Sequence, residues 1–182
     1  VRDAVWYSHA ASLAATREAF SRYLEAASRR GVGLCIENLA ENRQGGRTFG
    51  ASTEDLLEVI HAVGEDALGV CWDTGHGNLN GLDQPAALAQ LGGKLKALHV
   101  NDNLGDRDAH LAPYMGNIQW KAVLRTLREI GYTGDFTYEI QGYTNALPAA
   151  RHHRAAAELA ELAREMRQAY LDGEFTNKGK VK

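Results

Sequence analysis

Cysteine is scarce in this sequence: there are two, Cys35 and Cys71, among 182 residues. Each sits in an apolar run, GLCI and GVCW, where a free thiol packs as a small hydrophobe. A disulfide framework is not expected at this density, and a reducing, cytoplasmic setting is. Also missing is any apolar run near the roughly 18 residues that a membrane span needs, and no signal peptide is visible. Basic charge is not in surplus, with 20 Lys and Arg against 23 Asp and Glu and a net charge of -3. Nucleic-acid binding is therefore not expected, because phosphate contacts need clustered Lys and Arg. Linker-like and low-complexity stretches are absent, so 1–182 reads as one domain, with 172–182 as a polar tail. The chain opens on Val1 rather than Met and reads as a fragment or an incomplete reading frame.

What is present is the composition of a globular protein, 45% apolar and 24% charged. Along the chain it alternates. Residues 10–30 carry Leu13, Phe20, Leu24 and Ala27 near helical spacing, and Gly31 stops the helix. Val32 to Ile36 is a short apolar run and reads as a buried strand. ENRQGGRTFG reads as a loop, and Ser52, with Asp55 three residues on, caps the helix LLEVIHAV. Leu68 to Trp72 is the second strand, TGHGNLNGLDQ a loop, PAALAQLGG a helix, and Leu95 to Val100 the third strand. A long loop runs from Asp102 to Gln119, followed by an amphipathic helix Trp120–Ile130, a fourth strand Asp135–Ile140 and a last helix over 148–171. Strands alternating with helices predict an α/β fold with a parallel sheet.

In such folds the chemistry gathers at the C-terminal ends of the strands. The first strand ends in Glu37-Asn38, the second in Asp73 with His76 three residues later, the third carries His99 before Asn101-Asp102, and the fourth carries Glu139. A single strand-end Asp or Glu is commonly a helix cap, and a lone strand histidine is commonly a core residue. Four in succession at one level point to one site. Three carboxylates and an imidazole suit a hard or borderline divalent cation, Mn²⁺, Mg²⁺, Co²⁺ or Zn²⁺. Without one, the carboxylates would repel each other. The absence of Cys ligands argues against a closed structural zinc site. Arg107, Asp108 and His110 cluster in the long loop and read either as site residues or as a solvated charged loop. Trp72 and Trp120 read as packing groups, with Trp120 also a candidate wall of the site. His152 and His153 read as surface residues, and His9 and His61 have no chemical context.

The segments GVGLCIEN, GVCWDTGH, LKALHVND, DAHLAPYMGNIQW and GDFTYEI together resemble the xylose isomerase-like barrel superfamily, which groups sugar isomerases and epimerases with endonuclease IV-type enzymes. The resemblance implies a (β/α)8 barrel. Such a barrel needs about 250 residues, and the matching motifs belong to its last four strands, so about four N-terminal βα units are expected to be absent. It also implies that Glu37, Asp73, His99 and Glu139 are metal ligands, with Glu37 and Glu139 doubling as a proton-shuttling pair and the metal stabilising an enediolate. His76 is the implied contact to a substrate oxygen; Arg107 and His110, from the charged loop, and Trp120, as a wall, are further candidate substrate contacts. The family loop P-G-x-G-x-I-D-W is here Pro113-Tyr114-Met115-Gly116-Asn117-Ile118-Gln119-Trp120, with Tyr114 in place of Gly and Gln119 in place of Asp.

The function these residues imply is a divalent-metal-dependent isomerase or epimerase of a small sugar or keto-polyol; a dehydratase would use a similar site. A second reading is an endonuclease IV-type phosphodiesterase, in which His76, Asp108 and His110 bind a further zinc. A third is a catalytically incomplete half barrel. Its apolar inner face and two sheet edges, at Val32–Ile36 and Asp135–Ile140, would then need covering by a second copy or by the missing N-terminal half.

Overall fold

The computed structural model describes residues 8–41, 47–64 and 67–173. The stretch before Ser8, most of the expected loop after Glu41 and the tail beyond Gly173 lie outside the described residues. The order is α1 (His9–Arg30), β1 (Leu34–Glu37), α2 (Thr53–Val63), β2 (Leu68–Asp73), α3 (Thr74–Leu79), α4 (Gln84–Leu91), a 3-10 turn (Gly92–Lys94), β3 (Leu95–Val100), α5 (Trp120–Glu129), β4 (Phe136–Tyr138), α6 (Gln141–Asn145) and α7 (Ala149–Asp172). The four strands form one parallel sheet in the order β1-β2-β3-β4. Each crossover is helical, as a parallel sheet requires.

The helix ends follow local chemistry. Ser52 Oγ accepts the Asp55 N–H, capping α2. Gly31 adopts φ 64 after α1 and returns its N–H to Ala27 and Ser28 carbonyls. Gln119 precedes α5 with no side-chain cap, where the family pattern has Asp.

One face of the sheet carries Ile36, Leu68, Val70, Trp72, Leu95, Leu98 and Val100, all buried in one core with Leu56, Val59 and Ile60 of α2, Leu88 and Leu91 of α4, and Val123, Leu124 and Leu127 of α5. Burying each such side chain contributes about 1.5–3 kcal/mol. The opposite face follows by strand alternation: Cys35 and Glu37, Gly69, Cys71 and Asp73, Ala97 and His99, then Thr137. A register shift between Val70 and Cys71, which pair with Leu95 and Ala97, leaves Lys96 as the extra residue. Its side chain lies over Gly69, where a Cβ would sit 2.4 Å from Lys96 Cγ.

Several expectations are corrected. The first strand begins at Leu34, since Val32 is 59% exposed. TGHGNL is helical, not loop. A short helix, α6, separates β4 from α7. The fourth strand ends at Tyr138, although the Glu139 N–H still donates to Val100 O at 3.1 Å and keeps Glu139 on the ladder. The expected apolar inner face is mixed: Cys35, Gly69, Cys71 and Ala97 lie on it beside Glu37, Asp73, His99 and Thr137. No helix of the described residues is long and apolar enough to cross a membrane.

Candidate metal centre

The side chains of Glu37, Asp73, His99 and Glu139 arrive together at the C-terminal end of the sheet. One ligand atom from each lies within 4.8 Å of all the others. His99 Nδ1 is central, 2.9 Å from Glu37 Oε1 and 3.1 Å from Glu139 Oε2. Glu37 and Glu139 are about one third exposed, at 33% and 36%, whereas Asp73 is 0% exposed. The site thus has a closed floor at Asp73 and an open mouth between the two glutamates.

Asp73 serves two purposes. Its Oδ1 accepts the His76 N–H at 2.8 Å and caps α3, so the ordinary capping role holds as well. Burial pushes its carboxyl above the usual carboxylate range, against the pull of His76 and of the Asn101 amide. Among the described residues, the ion-pair partners of Glu37, Asp73 and Glu139 are histidines, with no Lys or Arg among them. Three carboxylates converging without a cationic side chain fit a divalent ion, and the mixed oxygen and nitrogen donor set agrees.

A second donor group adjoins the first: His76, Asp108 and His110. His76 Nδ1 donates to Asn38 O at 2.8 Å and His110 Nδ1 donates to Glu139 O at 2.9 Å. These bonds leave both Nε2 atoms toward Asp108 Oδ2, at 3.4 Å and 3.1 Å. Fixing one ring nitrogen on a carbonyl while the other faces outward is how ligand histidines are oriented. Burial pulls the His110 imidazole down, but the Glu139 carbonyl and the Asp108 carboxylate outweigh it and leave its pKa raised. His110 takes φ 44, outside the ordinary range for a side-chain-bearing residue.

The remaining expected site residues are placed differently. Arg107 is exposed on the loop and pairs with none of the described carboxylates. Trp120 is 3% exposed in the core, and its Nε1 donates to Asp102 Oδ2 at 2.8 Å; it supports the loop rather than walling the site. Tyr114 stands where the family pattern has Gly and still adopts φ 70, with its ring 6.1 Å from that of Trp120. His9 has a context after all, bonding Glu58 Oε2. His152 and His153 are exposed.

Three residues without an assigned role in the sequence organise the site. Asn38 pairs with the Asp73 backbone, Asn101 with the Asp73 carboxylate, and Asp102 gathers the long loop. Asp102 accepts from the N–H groups of Asn103, Tyr114 and Ile118 and from Trp120 Nε1. Asn immediately after Glu37, and Asn101-Asp102 just after His99, were the available signals.

The model of the xylose isomerase-like TIM barrel matches residues 4–167. The chain belongs to this family. A relative from Methanocaldococcus jannaschii, the uncharacterized protein MJ1311, is 33% identical over 131 residues, covering 70% of this chain and 43% of its own length. A D-tagatose 3-epimerase-like protein of known structure is 26% identical with a TM-score of 0.68, covering 90% of this chain and 60% of that one. A D-psicose 3-epimerase solved in the presence of D-fructose has a TM-score of 0.71 at 19% identity, over 91% of this chain and 60% of that one; this second likeness shows the fold alone. This member of the family therefore spans less than two thirds of the proteins it matches.

Proposed function

We propose that this chain carries the metal and proton-transfer site of a sugar or keto-polyol isomerase or epimerase. The observation that supports it best is that Glu37 and Glu139 both reach His99 Nδ1, at 2.9 Å and 3.1 Å, in a cluster that also holds Asp73. Glu37, Asp73, His99 and Glu139 would hold the ion. A divalent cation, when bound, polarises the carbonyl and hydroxyl oxygens of a ketose and offsets the charge that develops on them.

The glutamates do the proton chemistry. One carboxylate takes the proton from the carbon beside the carbonyl, and the electron pair of that C–H bond moves into the carbonyl system. The other glutamate, protonated, returns a proton to the opposite face or to the neighbouring carbon. Proton count and charge balance, because one acid gains what the other loses. Their partial exposure leaves the mouth open to substrate. His76 lies beside the same cluster, with Nδ1 on the Asn38 carbonyl at 2.8 Å, and its Nε2 would be the atom to bond a substrate oxygen.

Metal analysis of the wild type with Glu37→Gln and Glu139→Gln tests this. Loss of a stoichiometric ion, together with a fall of about 10²–10⁴-fold in solvent-deuterium incorporation into a ketose, is the expected outcome. Full metal affinity in both variants would refute the assignment.

A second reading, a metal-dependent phosphodiesterase, is favoured by the His76–Asp108–His110 group. One ion per chain supports the epimerase; further ions bound by this group support the phosphodiesterase. In either reading the open edges of β1 and β4 would pair with another set of βα units, from a second copy or an N-terminal half. Sedimentation as a well-behaved monomer would remove that part.

A further inference from the structure

Asp73 is held at both of its ends, by two buried asparagines. Asn38 takes the backbone: Asn38 Nδ2 donates to Asp73 O at 2.9 Å, and the Asp73 N–H donates to Asn38 Oδ1 at 2.6 Å. Asn101 takes the carboxylate, with Nδ2 3.1 Å from Oδ1 and 3.0 Å from Oδ2. Since Oδ1 also accepts the His76 N–H at 2.8 Å, Oδ2 keeps more of its lone-pair capacity.

The far end of the Asn101 amide is different. Asn101 Oδ1 is buried and has no hydrogen-bond partner among the described residues. Leaving such an atom unpaired costs about 1–3 kcal/mol, and turning the amide over would set that oxygen against the Asp73 carboxylate. The orientation is thus dictated by the nitrogen. Room is kept for it, because a Cβ at Gly75 would lie 1.8 Å from Asn101 Oδ1. Thr74 Oγ1 donates to Asn101 O at 2.7 Å and accepts from its N–H at 3.1 Å, fixing the backbone from which the amide projects. The amide is also neutral. It orients the carboxylate without cancelling its charge, as a Lys or Arg would.

We infer that Asn101 is the positioning residue of the cation site, holding Asp73 so that one carboxylate oxygen faces the point shared with Glu37, His99 and Glu139. The inference rests on the metal-site reading above. Without this amide, Asp73 remains a helix cap but is no longer aimed.

The test is calorimetric titration of Mn²⁺ into wild type, Asn101→Ala and Asn101→Asp, with the visible spectrum of the Co²⁺-loaded proteins and the thermal melt of the metal-free ones. Asn101→Ser, too short to reach Asp73, serves if either variant fails to fold. Mn²⁺ affinity is expected to fall about 10–100-fold in each folded variant, with an altered Co²⁺ spectrum even at saturation. A purely structural role would lower the melt and leave the saturated Co²⁺ spectrum unchanged. Wild-type affinity and spectrum in the variants would overturn the inference alone; a wild type that binds no ion would overturn both the inference and the metal-site reading.

Discussion

The two faces of the sheet are built on opposite rules. The helix-facing side is a continuous apolar layer from Ile36 through Trp72 and Leu98 to Val100. It packs the sheet against α2, α4 and α5. The inner side carries Glu37, Asp73, His99 and Glu139 at one end and Lys96 and Thr137 lower down, both of these exposed. One face is spent on stability and the other is left for chemistry. The difference explains how four strands can hold their site geometry: the packing that fixes them lies on the face away from the site.

That contrast can be broken from the apolar side first. Leu98→Ala, at a residue with no exposure, should cost about 2–5 kcal/mol in chemical denaturation. A loss below about 1 kcal/mol would mean that the core does not carry the fold.

The next test concerns the one thiol buried on the inner side. Burial, with Glu37 nearby, pushes the Cys71 thiol from 9.0 up to about 12. The folded protein then keeps this proton after the unfolded chain has lost it. Its contribution is full below pH 9 and is lost as pH rises from about 9 to about 12, at a slope approaching about 1.4 kcal/mol per pH unit. Urea titrations of wild type and Cys71→Ala across that window should show the shallower slope in the variant. Equal slopes would contradict the shift.

A smaller effect is expected at the mouth of the long loop. Gln119→Asp restores a capping side chain before α5, which lacks one, and should raise stability by about 1 kcal/mol, read as a higher denaturation midpoint. Smallest of all is Thr137→Ala on the exposed inner surface. A change within about 0.5 kcal/mol fits the contrast between faces, whereas a cost near that of Leu98→Ala would erase it.

The strands and the four candidate donor positions were legible because each strand is a short apolar run that stops on a charged residue or carries one at its end. Periodicity does not depend on what packs against it. Helix α3 was not legible: TGHGNL has two glycines and no apolar stripe. It forms because Asp73 caps it and because Gly77 fits under Trp72, where a Cβ would lie 2.8 Å from the indole. Trp120 reads as a packing group with the site wall as an alternative; it is buried in the core, and its N–H is taken inward by the Asp102 carboxylate. Arg107 and His110 sit three residues apart in one charged loop, yet only His110 is turned toward the site, through its bond to the Glu139 carbonyl.

By itself, then, the sequence determined the alternation of strands with the longer helices, the parallel sheet and the four donors at the strand ends, because local hydrophobic pattern and charge placement suffice for each. Only the tertiary structure decided which atoms face one another. It set Asn38 and Asn101 on either side of Asp73, turned two histidines onto Asp108, and made the inner face mixed. Those outcomes depend on register, on the extra residue at Lys96 and on hydrogen bonds between residues 25 to 38 positions apart, none of which leaves a local mark in the chain.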